Sequence, residues 1–149
     1  SSTTRPHEKL TIRVPEARTV PLSKSTRPYS QPNEITVHIE GVVVSALVDT
    51  EAGVSVLSKA MCRKLKKITT PLSGVSLCTA TTQDVQPSMT CTAHLLIQDV
   101  LYVVEFVVFP HCSHDVVLGW NFLSTHYAIV NCARVELELS AISDINPAK

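Results

Sequence analysis

The chain has 149 residues, 44% of them hydrophobic and 17% charged, which suits one domain with room for a core of its own. Its 13 basic and 13 acidic residues cancel, which gives no overall pull toward nucleic acid, and there is no run of about 18 apolar residues to span a membrane. The N-terminus also lacks the charged-then-apolar plan of a signal peptide.

The 5 cysteines (Cys62, Cys78, Cys91, Cys112, Cys132) have no paired spacing, which argues against a disulfide framework and for a reducing compartment. His111-Cys112-Ser113-His114 has no second ligand pair at a finger-like distance, so no metal site is expected. Nothing in the sequence asks for a cofactor.

Residues 1–33 hold Pro6, Pro15, Pro21, Pro28 and Pro32, many Ser and Thr, and an excess of basic over acidic residues. They read as an extended arm with one short strand at Leu10 to Val14, able to order against a partner or a second copy. A domain over 34–140 follows, and 141–149 is a tail.

From Asn33 the pattern turns to short β-rich runs. Ile35 to Ile39 alternates apolar and polar, Glu40-Gly41 is a turn, and Val42 to Val48 returns, which makes a hairpin. His38 then lies on the wet face. After Asp49-Thr50 the pattern predicts a strand at Val54 to Leu57. Ser58 is placed to cap a helix through about Lys66, with Ala60, Met61 and Leu65 inward and the lysines outward. Val75 to Leu77 reads as a strand, and Thr79 to Ser88 as the polar tip of a long hairpin that returns at Met89 to Gln98.

Leu101 to Phe109 is a long apolar strand stopped by Pro110. Asp115 to Gly119 leads into a short helix from about Trp120 to Thr125. Ala128 to Asn131 and the strictly alternating Val135 to Leu139 close the chain as strands. The fold class is mostly β with one or two short helices.

One carboxylate stands out. Asp49 ends an apolar strand and opens a polar corner, and burying a lone carboxylate costs several kcal/mol unless it is hydrogen-bonded or paired. Its bland use is to end a strand and start a turn. A β-barrel binding domain in which Asp49-Thr50 is only that turn is one reading of the chain.

Three segments in order give another. Leu47-Val48-Asp49-Thr50-Glu51-Ala52 with Val54 to Ser58, the hairpin between Leu77 and Leu96, and His114 to Ser124 together resemble a retroviral-type, retropepsin-like aspartic protease, especially those of gypsy-like retrotransposons. The resemblance spans 35–139. It implies an acid-protease barrel that forms a two-fold homodimer, each chain supplying one catalytic Asp, here Asp49. Two carboxylates in contact share a proton and activate a water for peptide hydrolysis.

By the same resemblance Thr50 is the hydroxyl that locks the two active-site loops across the dimer. Ala52 lines the cleft floor with Glu51 beside it, and Val56 and Val117 wall the scissile bond. Thr81, Thr82 and Gln83 sit in the flap that closes over an extended peptide. Val135 to Leu139 would supply interface strands. The implied partners are a second copy and a polyprotein substrate, with no membrane and no nucleic acid, in the cytoplasm or within virus-like particles.

Glu51 departs from the family, whose motif has Gly there. Glu adds bulk, and at a positive φ it would add strain of about 1–3 kcal/mol. It also sets a second carboxylate beside Asp49, which should raise carboxylate pKa values or force Glu51 out into solvent. The alternative function is therefore a catalytically impaired protease-fold module used for dimerisation or peptide binding. The flap also lacks the glycines often found at its tip.

Overall fold

The computed structural model describes residues 17–24, 32–71 and 89–142. Two hairpins build most of it. In β3 (Pro32–Ile39) the side chains of Ile35, Val37 and Ile39 are buried while Thr36 and His38 face water. The chain reverses through Glu40 and Gly41, with φ of 47° and 85°, into β4 (Val42–Val48). Positive φ at both turn residues matches the twist of the paired strands, and glycine takes it without steric cost. The second hairpin joins β7 (Met89–Ile97) to β8 (Val100–Phe109) through a two-residue turn begun by Gln98 at φ 54°.

Between the hairpins lie β5 (Val56–Ser58), α1 (Lys59–Lys64) and β6 (Thr70–Pro71). After β8 come β9 (Val116–Leu118) and α2 (Trp120–Thr125). The strands close into a six-stranded barrel in the order β3-β4-β9-β5-β8-β7, and β7 returns to β3 through His38↔Leu96 and Ile39↔Leu95. Ile35, Val37, Ile39, Leu57, Leu95 and Phe106 fill it and are at most 1% exposed. Each such side chain contributes roughly 1.5–3 kcal/mol by leaving water.

A second, three-stranded sheet packs against the barrel. It runs β1 (Ala17–Pro21), β11 (Glu136–Ser140), β10 (Ile129–Asn131), all antiparallel. Tyr102 of β8 ties it to the barrel, its hydroxyl donating to the Ser140 carbonyl at 2.6 Å. Its ring meets Phe122 and His126 edge-on, at 5.3 and 4.7 Å between centroids. Ser140 N–H in turn donates to the His126 carbonyl at 2.9 Å.

Several expectations shift. Ser58 does cap α1, its hydroxyl accepting from Met61 N–H at 3.0 Å. Met61 is buried as expected, but Ala60 is exposed and Cys62 takes the inward place, because a six-residue helix shows the core little more than one turn. Val54 is 41% exposed in a bend, so β5 begins at Val56. Residues 17–24, read as part of the arm, form β1 and β2 (Ser23–Lys24), which pair with β11 and β3 of the same chain. The strand expected at Val135 to Leu139 is β11, and both its edges are occupied by β1 and β10. Among the described residues, the outer edges of this sheet are those of β1 and β10. The strands expected at Leu10 to Val14 and Val75 to Leu77, and the hairpin tip at Thr79 to Ser88, lie outside the described residues. Among the described residues no helix is long and apolar enough to cross a membrane.

Candidate active site

β4 delivers Asp49 to the end of the barrel. Val48 is paired with Leu118 of the parallel strand β9, and the ladder runs one step further, Asp49 N–H donating to the Leu118 carbonyl at 3.0 Å. The chain then turns on the aspartate itself. Glu51 N–H donates to Asp49 Oδ1 at 3.0 Å and Ala52 N–H to the Asp49 carbonyl at 3.2 Å. A side-chain acceptor serving an amide two residues on is the usual way Asp stabilises a corner. Here it also fixes the carboxylate's orientation.

The corner is bolted to the start of α2. Trp120 N–H donates to the Ala52 carbonyl at 2.6 Å and Asn121 N–H to the Gly53 carbonyl at 3.3 Å. Ser55, fully buried, donates to Asn121 Oδ1 at 2.8 Å and accepts from Gly119 N–H at 3.0 Å. Gly119 is required by close approach rather than by its dihedrals (φ −99°). A Cβ there would run into the Val54 carbonyl and lie 2.8 Å from the Ala52 carbonyl oxygen. One step outward, Ser58 Oγ donates to Asp115 Oδ1 at 2.7 Å. Sequence reasoning did not assign Ser55, Ser58, Asp115 or Asn121 to this framework. The one available signal was a serine inside the apolar run Val54-Ser55-Val56-Leu57.

Asp49 is half-buried and lines an open cleft of about 620 Å³. Thr50 and Glu51 share that rim, and Leu22, Val48, Val130 and Val135 give it apolar walls. Val135, a β-branched residue, sits at φ 57°, a conformation that costs such a side chain roughly 1–3 kcal/mol. The structure thus brings Asp49, Thr50 and Glu51 together at one opening. Ala52 is half-buried behind them and holds α2. Val56 and Val117 are register partners between β5 and β9, 8% and 7% exposed, and are not among the described residues that line this cleft. Thr81, Thr82 and Gln83 lie outside the described residues.

Glu51 is exposed, and its φ is not positive, so it carries none of the backbone strain a left-handed conformation would impose. Glu51 thus takes the outward placement expected of a second carboxylate beside Asp49.

Two carboxylates away from the cleft are held by partners. Glu34 of β3 accepts from His114 Nε2 at 2.8 Å and from Ser45 at 3.0 Å. The His114 hydrogen bond holds its carboxyl below the ordinary value of 4.5. At Glu40 burial pushes the carboxyl up. Hydrogen bonds from the His94 backbone and ring and from Lys67 outweigh it, so the carboxyl again lies below 4.5. His114 is thereby committed to Glu34 and Ser113, and among the described residues no group of three potential metal ligands assembles. Burial pushes the Cys91 thiol up to about 11, with Cys62 beside it adding to the shift, so it is an inert core residue.

The sequence from β3 to the end of α2, residues 35–125, matches the family described as "gag-polyprotein putative aspartyl protease". The chain belongs to this family. The chain is accordingly an aspartyl protease-like domain of the retropepsin type. No curated protein matches the chain. Among solved structures, a retropepsin-like aspartic protease from Rickettsia conorii is similar with a TM-score of 0.58 and 17% identity, over 83% of this chain and 91% of that one. The retroviral protease-like domain of Ddi1 from Leishmania major gives 0.53 and 18%, over 76% and 90%. The EIAV protease, solved with the inhibitor HBY-793, gives 0.50 and 18%, over 68% and 93%. At such identities the likeness is one of fold.

Proposed function

We propose that this gag-type protease domain is an aspartic endopeptidase that works as a homodimer on a retroelement polyprotein. The observation that carries this reading is Asp49 itself. A carboxylate stands at the end of an inner barrel strand, oriented by the Glu51 amide, and lines an open cleft of about 620 Å³.

One chain brings one such carboxylate, so two chains must meet with their Asp49 corners facing. Two carboxylates in contact cannot both ionise cheaply, and the pair titrates as a unit holding one proton. The ionised member takes a proton from a water between them, which attacks the peptide carbonyl. The protonated member donates to the carbonyl oxygen. Thr50 would join the two corners across the dimer axis. The residues around Thr81, Thr82 and Gln83 would cover an extended substrate, adding backbone hydrogen bonds as a neighbouring strand does. Since both edges of β11 are taken by β1 and β10, the partner's strand would pair with the outer edge of β10, where Ile129 is exposed. A place in the cytoplasm or in virus-like particles would follow from the polyprotein substrate.

The second reading is a non-catalytic module for dimerisation or peptide binding, and the extra carboxylate of Glu51 beside Asp49 is what favours it. Cleavage of an apolar polyprotein-derived peptide between pH 4 and 7, with and without pepstatin, separates the two. Inhibitable cleavage rising faster than linearly with protein concentration is expected. Silence from protein shown to be folded and dimeric would leave the binding module.

A further inference from the structure

Glu51 performs with its backbone what a glycine would perform there. Its N–H holds Asp49 Oδ1 at 3.0 Å, and its φ stays out of the left-handed region. What the residue adds is a carboxylate on the rim of the same cleft. None of the described residues that line this cleft is basic. The ion pairs formed among the described residues join other partners, Arg18 with Asp99, Lys67 and His94 with Glu40, and His114 with Glu34. The cleft therefore presents an acid beyond the catalytic one, set against walls of Leu22, Val48, Val130 and Val135.

We propose that Glu51 is a specificity-determining residue: it receives the ammonium or guanidinium of a substrate Lys or Arg next to the scissile bond. This rests on the endopeptidase reading and names its substrate class. A Lys or Arg side chain suits such a place because its methylene stem covers apolar surface while its head stays with a charge. Closing a peptide over the site lowers the local dielectric, which strengthens the attraction over its value in water. A cation there also offsets the repulsion that Glu51 adds to the Asp49 pair. In a two-fold dimer Glu51 occurs twice, so a basic residue is favoured on either side of the cleaved bond.

The test uses paired peptides that differ only by Lys against norleucine, which has the same stem without the charge, at the residues flanking the cleaved bond. Each is made both as a substrate and as a reduced-amide isostere that cannot be hydrolysed. The native protein is expected to bind the Lys isostere about tenfold more tightly at low salt, with the ratio shrinking as salt is added. In Glu51→Gln the ratio should fall to near one, and kcat/KM for the substrates should follow.

Equal binding of the two isosteres by native protein, a ratio insensitive to salt, or a ratio unchanged in Glu51→Gln overturns the proposal. So does binding of neither. A Lys preference in binding without cleavage of any substrate upholds the role of Glu51 and removes the endopeptidase reading. Equal cleavage of both substrates does the reverse.

Discussion

Ser55 Oγ donates to Asn121 Oδ1 at 2.8 Å, and the same hydroxyl accepts from Gly119 N–H at 3.0 Å. One fully buried hydroxyl thus joins the Asp49 corner to the start of α2, two parts of the chain that come together only in the folded barrel. Ser55→Ala removes both bonds and leaves a buried N–H without its acceptor, which should cost about 1–3 kcal/mol. Urea unfolding of the native and variant proteins measures it. A loss below about 0.5 kcal/mol would mean that the hydroxyl does not hold the corner.

Gly119 and Gly53 make an internal contrast. A Cβ at Gly119 collides with the Val54 carbonyl, whereas one at Gly53 meets nothing within 4 Å. The obstruction at Gly119 is backbone, which cannot swing aside as a side chain can. Gly119→Ala should therefore cost more than about 2 kcal/mol by overpacking. Gly53→Ala should stay within about 0.5 kcal/mol or gain slightly through the unfolded chain. Comparable effects at the two positions would contradict the geometry.

What could be read from the sequence was local. The alternation of Ile35, Val37 and Ile39, the Glu40-Gly41 turn and the Ser58 cap each declare themselves within a few residues, and the structure has all three. Asp49 was legible because a carboxylate is conspicuous at the end of an apolar strand. The rest depended on contacts that sequence does not display. β1 is a strand because Ala17 to Pro21 find β11 at the far end of the chain, and nothing in a Pro-rich stretch announces that partner. Val54 looks like the first residue of a strand but is turned outward, while Ser55 beside it turns inward to meet Asn121. The alternation of Val135 to Leu139 announces a strand, and only the family resemblance offers it to an interface; neither can reveal that both edges of β11 are taken.

Stability toward acid follows from Glu34 and Glu40, whose carboxyls both lie below 4.5 in the folded chain. A carboxyl with a depressed folded value binds fewer protons folded than unfolded in that range, so its contribution is complete above the ordinary value and fades as pH falls through the folded one. Midpoints of urea unfolding should therefore hold steady from pH 7 to about 5 and decline below pH 4.5. Glu34→Gln should weaken the protein near neutral pH and flatten the decline. An unchanged slope in that variant would take the His114 pairing out of the account. The sign matters for any assay at acid pH, where loss of fold must be separated from loss of chemistry.

Asp49 provides the last prediction, because an active site assembled from two chains obeys a different mixing law from one built in a single chain. Asp49→Asn keeps the Glu51 N–H bond to the side-chain oxygen, so the corner at 3.0 Å should survive and the domain should fold. Cleavage should fall by about a thousandfold or more, since the proposed mechanism needs both one shared proton and one ionised carboxylate. Mixing native and variant chains in equal amounts at fixed total concentration then decides the assembly. If dimers form at random and a mixed dimer is inactive, about a quarter of the native rate remains, and the rate follows the square of the native fraction across a titration. A straight-line fall to about half would instead mean that each chain cuts with its own Asp49, and the shared-proton mechanism would have to be abandoned.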